Sequence, residues 1–151
     1  MKRLILVAAV AVIGFSACQN ADTNKTDSTE KALSPEEKTD ALKDTSNYTT
    51  IEWIDKTEQD LGKVKEGTVV EVSYRFKNTG NHNLVVADVT AGCGCTTPDK
   101  PEEPIMPGQE GVIKAKFNSQ GRVGPNNKQV YVRANTSPQQ TVLNFNVEVT
   151  K

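Results

Sequence analysis

The chain has 151 residues, with 18 Lys and Arg against 19 Asp and Glu, for a formal net charge of −1. That length suits one domain plus a tail. Without a bulk field of either sign, or a basic stripe interleaved with aromatics, the composition points away from nucleic acid and from acidic partners.

The N-terminus opens with Lys2 and Arg3, continues through an apolar run from Leu4 to Phe15, and reaches Phe15-Ser16-Ala17-Cys18. A basic start, an apolar middle and small residues before a cut form the layout of a secretory signal. The run is about a dozen residues, short of the roughly 20 that a spanning helix needs. Cys18 directly after Ser-Ala resembles the lipobox of bacterial lipoproteins, with Phe15 where Leu is usual. The resemblance implies a signal peptide over 1–17, cleavage before Cys18 and a lipid on its thiol. Each buried acyl methylene contributes about 0.8 kcal/mol, so several chains hold a protein durably on a bilayer. The expected place is the cell envelope, lipid-anchored to a bacterial membrane, facing the periplasm or exposed on the surface.

Residues 18–48 read as a flexible polar tether, rich in Thr, Asp, Lys, Ser and Asn. Such a segment cannot bury enough surface to offset its ordering entropy. Within it, Ser34-Pro35-Glu36-Glu37 carries an N-cap, a Pro at the first helical position and a capping-box glutamate. The helix that follows, to about Lys43, is short and marginal by itself. Asp27-Ser28-Thr29 resembles an O-glycosylation acceptor of some Bacteroides-type bacteria, although three residues in a polar linker read first as a plain solvated segment.

From Thr49 to Lys151 the period changes to two. Val70, Val72, Tyr74 and Phe76 alternate with Glu71, Ser73, Arg75 and Lys77. Asn78-Thr79-Gly80-Asn81 is turn chemistry, and Leu84 to Val89 reads as the next strand. Ile113, Ala115 and Phe117 alternate with lysines; Val130, Val132 and Ala134 with Tyr131 and Arg133; Leu143, Phe145, Val147 and Val149 with Asn144, Asn146 and Glu148. Ile51–Ile54 and Gln59–Val64 are shorter candidates. About seven strands in about 100 residues predict an all-β fold, an immunoglobulin-like antiparallel β-sandwich. Pro98, Pro101, Pro104 and Pro107 recur every third residue, which reads as a stiff loop crossing one end of the sandwich.

One series of residues then resembles a known family: Phe76-Lys77-Asn78-Thr79-Gly80, Leu84, Gly92-Cys93-Gly94-Cys95-Thr96, Pro98, Pro104-Ile105, Pro107-Gly108, Gly111, Phe117, Gly121, Gly124 and Lys128. The chain is similar to the bacterial domain-of-unknown-function family 1573, which is related to immunoglobulin-like domains of the Hydin and major-sperm-protein group. The resemblance implies the sandwich. By analogy with related sandwiches, it also implies a module that binds or scaffolds proteins rather than an enzyme. Its contact surface is expected at an exposed sheet edge or in the loop from Cys93 to Gly111, and its partner is expected to be another envelope protein.

Cys93 and Cys95 are the reactive pair. They can close a disulfide across Gly94 if the backbone turns tightly, because residues two apart in an extended strand lie near the upper separation limit. They can bind a soft metal such as Cu(I) or Zn(II), with Met106 as a further ligand if its loop folds back, although two thiolates fall short of a closed zinc site. They can also simply pack and shape the loop. The alternative to a binding module is therefore thiol-redox or soft-metal handling at this pair, with no other cofactor expected. His82 lies at the far end of the Leu84–Val89 strand, roughly 30 Å from Cys93 along a straight strand. It reads as a solvated turn residue, so no Ser-His-Asp set follows. Asp88, Asp99, Glu102 and Glu103 show no pairing suited to glycoside chemistry.

Overall fold

The alternating segments become eight strands in the computed structural model, which describes residues 32–151. The expectations for the signal peptide, Cys18, Asp27–Thr29 and the first part of the tether lie outside the described residues. In chain order the elements are helix α1 (Pro35–Ala41), a 3₁₀ turn (Thr45–Asn47), β1 (Ile51–Trp53), β2 (Glu58–Lys65), β3 (Val69–Asn78), β4 (Val86–Ala91), β5 (Thr96–Asp99), β6 (Glu110–Asn118), β7 (Gly124–Ala134) and β8 (Gln140–Thr150).

Two four-stranded sheets form, in the orders β1-β3-β6-β5 and β2-β8-β7-β4. This is the strand arrangement of an immunoglobulin-like sandwich, with β1 and β2 dividing the first strand between the sheets. Each strand turns its apolar side inward because its side chains alternate. Tyr74, Phe76, Ile113 and Phe117 of one sheet meet Val130, Leu143, Phe145 and Val149 of the other, all essentially inaccessible to water. Phe117 and Phe145 meet edge to face across the layers, with ring centroids 6.0 Å apart. The buried Tyr74 hydroxyl donates to the Asn144 carbonyl at 2.7 Å, and burial pushes its pKa up. At roughly 1.5–3 kcal/mol for each large apolar side chain buried, this layer dominates stability.

The structure differs from the sequence reading in four places. The sandwich is not wholly antiparallel: β2 runs parallel to β8, with a register shift between Asp60 and Lys63. There Gly62 adopts φ +70°, a backbone state that glycine takes without steric cost. There are eight strands, the unforeseen one being β5, which pairs antiparallel with β6 from Thr96↔Phe117 to Asp99↔Lys114. The proline-containing stretch therefore begins as an edge strand, where a proline is tolerated. Leu84 stands before β4 and forms an isolated bridge with Ile105.

Another difference concerns residues 32–48, part of the segment read as a flexible tether. The expected capped helix forms there, and it packs on the sandwich. Ser34 and Glu37 complete the capping box, with Pro at the helix start. Leu42 is buried at 8% exposure and Lys38 at 5%. Gln139 donates to the Leu42 carbonyl at 2.7 Å and also bonds the Tyr48 hydroxyl, which in turn donates to Leu42 at 2.9 Å. A helix marginal in isolation is held here by tertiary contacts, which generally supply most helical stability.

Candidate functional site: the two poles of the sandwich

The strands define two ends. The first gathers the 3₁₀ turn, the link from β3 to β4, the link from β5 to β6 and the turn from β7 to β8. The second gathers the turn from β2 to β3, the Cys93–Cys95 loop and the loop from β6 to β7. Helix α1 packs beside β4, and Leu42 at its C-terminal end reaches the first end.

Two buried asparagines organise the first pole. Asn78 continues the inward positions of β3 and is completely buried. Its Oδ1 accepts from Thr49 Oγ1 at 2.8 Å and from the Gly80 amide at 3.1 Å. Its Nδ2 donates to the His82 and Ile105 carbonyls, both at 2.8 Å. A Cβ on Gly80 would lie 2.1 Å from Thr49 Oγ1, so the tight approach requires glycine there. Asn135, also buried, accepts from the Val85 amide at 2.7 Å. It donates to the Asn47 carbonyl at 2.7 Å and the Asn83 carbonyl at 2.9 Å. Asn78 joins three segments and Asn135 two, and both satisfy their own buried polar atoms in doing so.

A charge cluster ties α1 to the proline loop. The buried Lys38 ammonium pairs with Glu102, and Lys100 approaches the same carboxylate at 3.3 Å. Burial alone would lower the Lys38 pKa, but its hydrogen bonds and the Glu102 charge outweigh burial and raise it. Lys38 and then Lys100 hold the Glu102 carboxyl below its usual value. Lys100 itself is lowered by burial and by Lys38.

At the second pole Cys93 and Cys95 form a disulfide, with Cα atoms 5.3 Å apart. The required turn is closed by the Thr96 amide donating to the Cys93 carbonyl at 3.2 Å. Gly94 does not enable it through a left-handed backbone, since its φ lies outside that range and a Cβ there would meet nothing within 4 Å. The loop tip is therefore open to solvent. Cys95 is buried at 8% exposure, whereas Cys93 is half-buried against the core. The Thr96 hydroxyl lies 3.7 Å from Cys93 Sγ and 3.9 Å from Cys95 Sγ. Nearby, Lys128 Nζ stands 5.4 Å from the centre of the Phe117 ring, and burial followed by repulsion from Arg122 lowers its pKa.

Neither His82 nor Met106 joins the sulfurs. Asn78 holds His82 at the first pole, and Met106 follows Ile105, which bridges Leu84 there. The six residues of β4, roughly 20 Å of strand, separate that pole from Cys93. Among the described residues no group of three or more His, Cys, Asp or Glu could hold a metal ion. Asp88, Asp99 and Glu103 are exposed.

Sequence reasoning missed Asn135 and Lys38, and it quoted Thr96 in the family series without the place of its hydroxyl beside both sulfurs. The inward role of Asn78 was available from its parity with Val72, Tyr74 and Phe76. The partners of Asn135 and Lys38 lie far along the chain and left no local signal.

The second pole also exposes Val69 at 60% and Val123 at 49%. Val69 opposes Asn118, and Ser119 clamps the flanking turns, its hydroxyl within 3.1 Å of the Lys65 carbonyl and 2.8 Å of the Thr68 carbonyl. By contrast the free edge of β5 is poor in donors. The Asn118 amide donates to Cys95 at 2.9 Å, so alternation aims positions 96 and 98 outward. The Thr96 amide is used in the turn, and Pro98 has none.

Strand order and packing define an immunoglobulin-like module, and solved structures agree on the fold. A protein of unknown function from Porphyromonas gingivalis W83 matches at TM-score 0.61 and 15% identity, over 70% of this chain and 49% of that one. This chain thus spans about half of that protein's length. The seventh PapD-like (ASH) domain of human CEP192 matches at TM-score 0.53 and 12% identity, over 70% of this chain and 88% of that domain. The Vibrio cholerae VesB protease matches at TM-score 0.50 and 9% identity, over 75% of this chain and 35% of that chain. No curated protein matches. Residues 51–149 match the family described as protein of unknown function (DUF1573), and the chain belongs to that family.

Proposed function

We propose that this protein is a lipid-anchored module of the bacterial cell envelope that binds another envelope protein through its second pole, without catalysis. The two exposed valines at that pole, Val69 and Val123, carry the reading. A membrane attachment through Cys18 would be joined to the sandwich through the docked α1. Two exposed valines on short, clamped turns provide a small apolar contact set on rigid supports. The Cys93–Gly111 stretch proposed from sequence narrows to its first residues, because the rest runs along β5 to the first pole. The donor-poor outer edge of β5 argues against strand addition there.

The test uses intact cells producing the full chain with a photocrosslinking residue at Val69, Val123 or, as a control at the first pole, Glu103. A discrete adduct from Val69 and Val123 but not from Glu103 is expected. The wild type should partition into detergent, and Cys18→Ser should move it to the aqueous phase. Adducts only from Glu103 would move the contact surface to the first pole and overturn the reading. An aqueous wild-type protein with a free thiol at Cys18 would remove the anchor.

A further inference from the structure

Beyond partner binding, we propose that the Cys93–Cys95 disulfide is a thiol–disulfide exchange site, with Cys93 as the sulfur attacked by a thiol-bearing partner. The bond is poorly placed to serve the fold. It encloses a single residue, and loop-closure stabilisation is smallest for the shortest loops. It joins no two strands, and the two sheets are held by the apolar layer between them. The backbone bonds of the loop, from Thr96 to Cys93 and from Asn118 to Cys95, do not depend on the sulfurs.

The surroundings favour exchange in one direction. The half-buried Cys93 adjoins the open Gly94 tip, while Cys95 belongs to the buried cluster. Attack on a disulfide depends on access to the sulfur and on how well the departing thiolate is stabilised. The Thr96 hydroxyl lies within hydrogen-bonding reach of either sulfur. A partner thiolate attacks Cys93 Sγ, the bond to Cys95 Sγ breaks, and its electron pair leaves on Cys95 as a thiolate. A mixed disulfide between Cys93 and the partner remains. A second partner thiolate then attacks the partner's sulfur and releases the oxidised partner disulfide. The two protons given up by the partner thiols end on Cys93 and Cys95. Two thiols are oxidised, one disulfide is reduced, and no further reactant is needed.

The test uses the full chain carrying Cys18→Ser in mild detergent, so that Cys93 and Cys95 are the remaining cysteines. The native protein is incubated with reduced glutathione in one arm and with a reduced, unfolded single-cysteine protein in the other. Trapped species are read by mass, and the fold by circular dichroism. Opening of the bond without loss of the fold is expected in at least one arm, and the faster arm identifies a small or a protein thiol as the source. Thr96→Val should slow opening severalfold. In the oxidised glutathione couple, Cys95→Ser should collect an adduct at Cys93 at least tenfold faster than Cys93→Ser collects one at Cys95. A bond that opens in neither arm until denaturant is added would overturn the proposal. So would equal labelling of the two single-cysteine variants.

Discussion

Asn78 shows how one side chain can fix a pole of the molecule. Its buried amide makes four hydrogen bonds, among them donations to the His82 and Ile105 carbonyls. Asn78→Ala removes the partner and strands those groups, each costing about 1–3 kcal/mol. A loss of about 3 kcal/mol is expected in urea unfolding with the m-value unchanged. Asn78→Asp should be no better, because a carboxylate cannot donate to two carbonyls. A loss under 1 kcal/mol would mean that water replaces the amide. Gly111 explains another glycine in the family series: a Cβ there would sit 2.4 Å from the Phe76 ring. Alternation in the sequence made the inward position of Asn78 legible, but its partners across 27 and 29 residues were not. Only the folded chain brings them together.

At the scale of elements, the clearest strands were those with an apolar residue at every second position, β3, β6, β7 and β8, and the shorter β1, β2 and β4 were legible as well. β5 escaped because Thr96-Thr97-Pro98-Asp99 contains no alternating apolar set and has a proline that usually demotes a strand. The helix α1 was legible from its cap, but its docking was not, since Lys38 reads as an ordinary solvated residue. A buried lysine persists only when paired, and Glu102 supplies the charge. The effect of pH follows from the directions of the two shifts. Glu102 is held below its ordinary 4.5, so its contribution is complete above that value and is lost as pH falls through the lowered pKa. Lys38 is raised above its ordinary 10.5, so its contribution is complete below that value and is lost as pH rises through the raised pKa. Docking is therefore firmest between those limits. Backbone chemical shifts of residues 38–48 should move toward undocked values below about pH 4, and Glu102→Gln should produce that change already at neutral pH. If the Gln variant kept native shifts throughout, the ion pair would not be what holds the helix.

For the whole molecule, the sandwich was legible because a two-residue period repeated over many strands admits few other architectures. The parallel pairing of β2 with β8 was not, because periodicity reports which face is buried and carries no information about strand direction. An immunoglobulin-like sandwich leaves sheet edges open, and open edges invite pairing between copies. The β5 edge is protected by the missing amide of Pro98 and the engaged amide of Thr96. Pro98→Thr should return an outward donor to that edge. Light scattering over a concentration series should then show self-association absent in the wild type. Monodisperse behaviour of the variant at every concentration would assign the protection to something other than proline.

The docking of α1 also affects how the protein responds to being pulled from its N-terminal side. Such tension meets the grip of Gln139 on Leu42 and of Glu102 on Lys38 before it meets any strand. The N-terminal segment should peel away first, lengthening the connection while the sandwich behind it stays closed.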